Sequence, residues 1–233
     1  MVSAPKSTGK VSRATADTSQ AVAVPADVGP TEFINSDHTA VRQFVDRVLG
    51  SAADDRVKVS RLFSAVRDEI RYDPYTLSTD PGDYRASAVL AAGSAYCVPK
   101  AVLLTAAARA AGIPARLGFA DVRNHLQSER LLAAMGTDLF VYHGYSALFV
   151  EGRWRKASPA FNSDLCARFG VPALDFDGSQ DALLHAYTGS GARHMEYVRD
   201  HGLSSDLPFD EIMSVYAATY PALTGRDGRE PPK

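Results

Sequence analysis

The segment from Cys97 to Ala111 constrains the fold more than any other stretch of this chain. Its only charges are Lys100 and Arg109, and apart from Cys97 the rest is Ala, Leu, Val, Thr and Pro. A helix apolar nearly all round belongs in the centre of a core. Proline inside a helix costs ~3 kcal/mol, whereas in the first turn its missing N–H removes nothing. Pro99 therefore puts the helix start at or next to Cys97, and Gly112 supplies the stop. The rest of the chain must wrap this helix.

Two amphipathic helices precede it. The first is predicted from about Thr39, capped by Asp37 or Thr39, with Val41, Phe44, Val45, Val48 and Leu49 at helical spacing before Gly50. The second runs from Asp54 or Asp55 to Ile70, with Val57, Val59, Leu62, Phe63, Val66 and Ile70 near one face. Tyr72-Asp73-Pro74 ends it, because proline disfavours helical geometry in the residue before it. A turn-rich connector, Ser78 to Asp83, leads to a short apolar segment, Ala88 to Ala92.

Beyond Gly112, Ile113-Pro114-Ala115-Arg116-Leu117-Gly118-Phe119 reads as an exit into a strand, and residues 121–137 as a polar insertion with helical character. The clearest strand follows. Leu139, Val141, His143, Tyr145, Ala147 and Phe149 alternate with Phe140, Tyr142, Ser146, Leu148 and Val150. Glu151-Gly152 is a hairpin signal into Arg153-Trp154-Arg155-Lys156-Ala157-Ser158. After Asn162 the pattern weakens into loops until a last helix, about Phe209 to Tyr220.

Composition excludes several classes. Hydrophobic residues at 45% and charged residues at 22% describe a globular chain. A net charge of -2 gives no support to nucleic-acid binding or to a polybasic membrane contact. No apolar run reaches the ~18–20 residues of a membrane span, so a soluble, cytoplasmic protein is expected. Residues 1–29, without helical or strand period, read as a disordered tail, 30–222 as one domain, and 223–233 as a C-terminal tail. No sequence feature specifies an oligomeric state.

Two cysteines, Cys97 and Cys166, cannot build a disulfide framework, and neither lies in a CxxC pair. Cysteine chemistry therefore rests on a single thiol. At a helix start, the dipole and the free N–H groups favour thiolate and can receive an oxyanion. His143, mid-strand among apolar neighbours, is the candidate base. If Glu151-Gly152 is a two-residue loop, Val150 faces Arg153 and His143 faces Ala160, with Ser158 and Asn162 as diagonal neighbours. Diagonal partners lie ~7–8 Å apart, within reach of an imidazole and a polar side chain. A bulge near Pro159 would shift this register.

The runs Tyr96-Cys97-Val98-Pro99-Lys100-Ala101, Arg109-Ala110-Ala111-Gly112-Ile113-Pro114-Ala115-Arg116, His143-Gly144-Tyr145 and Gly152-Arg153-Trp154 together resemble the transglutaminase-like superfamily over about residues 60 to 162. The resemblance implies a papain-like α+β fold, with N-terminal helices and a buried Cys-bearing helix packed on an antiparallel sheet. It implies acyl transfer on amides by a Cys–His–Asp triad, with Cys97 as nucleophile and His143 as base and acid. The substrate would be a peptide, a protein or a small amide, and no cofactor or metal is implied. Ala95 stands where the family usually has Gly, and Ser158 where it has Asp. Ser158 by position, or Asn162 as an amide, would then orient the imidazole. The missing carboxylate leaves a second expectation, a catalytically impaired binding module.

The other polar residues carry less. His125, His185, His194 and His201 are expected at the surface, and Cys166 as a packed or half-exposed thiol. Lys100 is either solvated or adds positive potential one turn from Cys97.

Overall fold

A computed structural model describes residues 27–224. Most of both predicted tails lies outside them. Within them, Asp27 is buried and its carboxylate grips Arg116 at 2.7 and 2.8 Å, so packed structure begins inside the segment expected to be a tail.

Helix α1 (Thr39–Leu49) buries Val41, Phe44, Val45 and Leu49. Its N-cap is His38, one residue from either predicted cap, and the ring nitrogen accepts from the Ala40 N–H at 3.2 Å. Helix α2 (Asp55–Glu69) is capped by Asp54, which accepts from the Val57 N–H at 3.0 Å. It buries Val59, Leu62, Phe63 and Val66, while Val57 is exposed. Strand β1 (Arg71–Tyr72) pairs in parallel with β2 (Ser94–Ala95); between them lie a 3₁₀ turn (Pro81–Tyr84) and α3 (Ala86–Ala92).

Helix α4 (Cys97–Ala110) is the predicted central helix, buried at every position from Cys97 to Arg109. Its charges are satisfied internally. Arg109 donates to the carbonyls of Ala115, Gly29 and Ser205 at 2.9, 2.8 and 2.7 Å. Lys100 donates to the Arg67 and Ile70 carbonyls at 2.8 and 2.5 Å. Neither sequence expectation for Lys100 describes this: its amine closes the C-terminus of α2, whose last carbonyls have no partner within the helix.

An antiparallel sheet in the order β5-β4-β3-β6 covers α4. It comprises β3 (Ala115–Asn124), β4 (Leu139–Val150), β5 (Arg153–Ala157) and β6 (Met195–Ser204). Helix α5 (Glu129–Met135) sits in the β3–β4 connection, so the predicted insertion begins with the end of β3 and then holds a short helix. Helix α6 (Ser163–Arg168) and strand β6 fall where loops were predicted. Strand β6 is an edge strand whose middle, including Arg199 and Asp200, is exposed, so it lacks the apolar alternation of a half-buried strand. Helix α7 (Phe209–Thr219) is the last element among the described residues. The result is the papain-like α+β fold, with the core between α4, its flanking helices and the sheet.

Two details set the site. The predicted hairpin register holds from Val150↔Arg153 to Ser146↔Ala157 and then stops. The Ser158 N–H turns to the Ala182 carbonyl at 2.9 Å, so His143 does not pair with Ala160 as expected. A bulge also interrupts β4: Ala120 pairs with His143, but Val122 with Phe140. Ala120 and Val122 share a face, so Phe140 and His143 do as well, against the strict alternation predicted. Tyr142, at the bulge, takes φ 52, and its N–H is held by the Asp121 carboxylate at 3.1 Å.

Candidate active site

Cys97 is the first residue of α4, behind Tyr96 as N-cap. Strand β4 crosses this helix end at Gly144. A Cβ placed there would lie 2.8 Å from Val98 Cα and 3.3 Å from the Cys97 carbonyl oxygen, so only glycine permits the approach. Farther along, Ser146 Oγ donates to the Ala101 carbonyl at 2.9 Å and accepts from the Thr105 hydroxyl at 3.0 Å. These contacts fasten β4 to α4 and bring the neighbourhood of His143 to that of Cys97. Both are nearly inaccessible, at 5% and 4%.

The two candidate orienting residues have different tasks. Ser158 Oγ lies 3.1 Å from His143 Nε2. Asn162 does not face the imidazole. Its amide donates to the Arg67 and Ile70 carbonyls, and its oxygen accepts from the Tyr72 N–H at 2.6 Å. The physical reason is the end of the hairpin at Ala157, which lets the chain turn and delivers Asn162 to the α2–β1 junction. There it works with Lys100, on the same two carbonyls, to place Tyr72.

Electrostatics reverse the expectation of a thiolate. Burial pushes the Cys97 thiol up to about 11, although the N–H groups of Gly144, Val98 and Cys97 itself act in the opposite sense. Burial pushes the His143 imidazole down to about 4. The resting site at neutral pH therefore holds a neutral thiol and a neutral imidazole. Among the described residues no hydrogen bond joins them, and the imidazole's partner is Ser158.

An aromatic cavity surrounds Cys97, formed by Tyr72, Tyr96, Phe140, Tyr216 and Tyr220 among others. Tyr220, just past α7, holds the start of β4: its hydroxyl accepts from the Val141 N–H at 2.6 Å and donates to the Leu139 carbonyl at 2.8 Å. The Tyr96 and Tyr84 hydroxyls meet at 3.0 Å. The sequence marks none of these tyrosines as a site residue, since they come from scattered segments and only Tyr96 adjoins Cys97. Their signal was the tyrosine count, 10 in the chain.

The remaining candidates separate. Cys166 is buried in α6. His125 pairs with Glu196 at 3.1 Å and His201 with Asp121 at 2.7 Å. His194, expected at the surface, is buried instead and stacks on Phe161 with ring centroids 6.2 Å apart. Among the described residues no helix is long and apolar enough to cross a membrane.

Comparison with known proteins places these features. The sequence profile of the transglutaminase-like superfamily matches residues 42–159, which include Cys97, His143 and Ser158. No curated protein matches the chain. Among solved structures, it is similar to a provisionally named cysteine protease from Cytophaga hutchinsonii, at 14% identity and a TM-score of 0.43 over 78% of this chain. A provisionally named protease from Parabacteroides distasonis ATCC 8503 follows, at 16% identity and a TM-score of 0.38 over 56% of this chain. The chain spans 56% and 25% of the length of these two structures.

Proposed function

The chain belongs to the transglutaminase-like superfamily, and on that premise we propose that it is a cysteine hydrolase or acyltransferase that opens an amide through a thioester on Cys97. One observation supports this above the others: Cys97 begins a buried helix at the wall of an aromatic cavity, where β4 at Gly144, next to His143, meets the same helix end.

The steps follow from the groups present. With Ser158 Oγ, 3.1 Å away, as acceptor of an Nε2–H, the Nδ1 lone pair is free to act as base. As substrate binds, the imidazole reaches the thiol; catalytic hydrogen bonds are often long or absent without substrate. The Sγ proton passes to Nδ1 while sulfur attacks the amide carbon. N–H groups at the start of α4 receive the developing oxyanion. The C–N bond then breaks, the imidazolium proton goes to the departing nitrogen, and an amine leaves. Water or a second amine, deprotonated by His143, attacks the thioester and returns the thiol. Hydrolysis and transfer share every step before this last one.

A second reading, a binding module without turnover, is favoured by Ser158, since a hydroxyl carries no charge to stabilise imidazolium. The two are separated by mixing the protein with a panel of peptide p-nitroanilides, quenching in acid and measuring intact mass. The enzyme reading expects p-nitroaniline release and an acyl adduct on Cys97, absent in Cys97→Ala and much slower in His143→Ala. Retained peptide without release or adduct is the result expected of a binding module.

A further inference from the structure

A second cavity, of about 160 Å³, opens beside the one at Cys97 and shares Tyr72, Pro74 and Phe140 with it. No Asp, Glu, Lys or Arg lines it. Its wall is built by the β3–β4 connection, which contributes Leu126, Gln127 and Leu131, and by Phe161, Leu165 and Phe169. Leu126 and Phe169 are exposed large hydrophobic residues, so the cavity carries an apolar rim that water covers unfavourably.

Two lining residues carry buried polar atoms that have no partner among the described residues: Gln127 Oε1 and His194 Nδ1. The Gln127 amide is oriented by its Nε2, which donates to the Thr137 carbonyl at 3.0 Å, so the unpaired atom is an acceptor. The His194 residue is 6% exposed. Burial and the nearby His185 hold its imidazole below the usual range, so it is neutral at neutral pH. A buried polar atom left unpaired costs ~1–3 kcal/mol, so natural sites of this kind are completed by a ligand or water. A row of rings links this wall to the reactive cavity. His194 stacks on Phe161, and Phe161 meets Tyr72 edge-on at 4.9 Å.

We propose that this cavity is a specificity subsite that receives an uncharged aromatic side chain with a hydrogen-bonding tip, a tyrosyl phenol, from the acyl substrate held at Cys97. The inference rests on the enzymatic reading above. The apolar wall takes the ring, and the hydroxyl donates to Gln127 Oε1, with the His194 ring on the same wall. An uncharged lining disfavours acidic and basic side chains, which would lose hydration without a counter-charge.

The test uses the full chain with Cys97→Ala, titrated by NMR with N-acetyltyrosinamide, N-acetylphenylalaninamide and N-acetylalaninamide. The tyrosyl compound should bind about tenfold more tightly than the phenylalanyl one, as a single added hydrogen bond allows. It should shift the His194 ring signals, and Gln127→Ala should remove the tyrosyl advantage. In the protein with Cys97 intact, a tyrosyl chloromethyl ketone should alkylate Cys97 faster than its alanyl counterpart, with iodoacetamide as the control for an intact thiol. Equal binding of the tyrosyl and phenylalanyl compounds, or a preference unchanged in Gln127→Ala, overturns the subsite. Tyrosyl binding without faster alkylation also overturns it, because the cavity is then not on the substrate path. If the preference and the faster alkylation hold but no amide is ever cleaved, the subsite stands and only turnover by Cys97 fails.

Discussion

His143 Nε2 and Ser158 Oγ lie 3.1 Å apart in a site where both residues are buried. A neutral hydroxyl thus occupies the position from which the imidazole is oriented. It holds the ring without adding a charge.

With no carboxylate bonded to it among the described residues, the imidazole is held to about 4 by burial. Amide cleavage should then rise as pH passes through about 4 and stay flat through neutrality, because the base is already unprotonated there. The measurement is kcat/KM against pH; a rising limb near ~6.5, the ordinary imidazole value, would mean that burial does not control His143. The same shift has a stability consequence. Between about 4 and ~6.5 the unfolded chain binds more protons than the folded one, so stability falls as pH is lowered through that window. In His143→Gln the fall should be smaller by up to about 3 kcal/mol.

Ser158→Ala removes one neutral hydrogen bond, worth ~0.5–1.5 kcal/mol, so kcat should drop by up to about tenfold with KM little changed. Ser158→Asp should instead raise the His143 pKa, visible as a shift of the imidazole NMR titration to higher pH. Asn162→Ala should leave that titration in place and lower stability by ~1–3 kcal/mol, since it leaves the Tyr72 N–H without its acceptor. A large movement of the His143 titration in Asn162→Ala would contradict this division of tasks.

Gly144→Ala tests the approach of β4 to α4. The added methyl would meet Val98 Cα at 2.8 Å, a backbone atom that no rotamer change can move aside. Stability should fall by about 1–3 kcal/mol as strand and helix separate. Alkylation of Cys97 should quicken as the thiol loses burial. Unchanged stability to urea would show that the contact is softer than the geometry implies.

Lys100 provides a second pH-dependent contribution of opposite reach. Burial lowers its amine to about 7, below its ordinary value of 10.5. The unfolded chain therefore holds more protons between those values, and wild-type stability should increase with pH from about 7 to 10.5 relative to Lys100→Met. Urea denaturation of both proteins at pH 6.5 and 9.5 reads the difference. A gap that stays the same at both pH values would show that the amine stays charged on its two carbonyls.

Cys97 should resist alkylation at neutral pH more than a free thiol of pKa ~8.5 does, because its own value is raised to about 11. Iodoacetamide labelling followed across pH 6–11 checks this. Rapid labelling below pH 7 would reveal a thiolate–imidazolium pair instead.

The central helix, its start at Cys97, the two amphipathic helices and the β4–β5 hairpin were legible in sequence, because each is a local pattern: spacing of apolar residues, a first-turn proline, a two-residue turn. The thiol and the imidazole stand out by residue type and position alone, as candidates. The bulge at Tyr142 left no comparable mark, since it depends on Asp121 arriving from another strand. Strand β6 is specified by pairing with β3, not by its own alternation.

The sequence alone determined which residues could carry chemistry, because residue type and local period need no partner. Only the tertiary structure decided what state they are in. Burial inside the folded chain makes the thiol and the imidazole neutral where the helix start alone favoured a thiolate. The end of the hairpin at Ala157 gives the imidazole to Ser158 and sends Asn162 to Tyr72. Protonation and partnership are set by what surrounds a group in space, and those neighbours are far away in the chain.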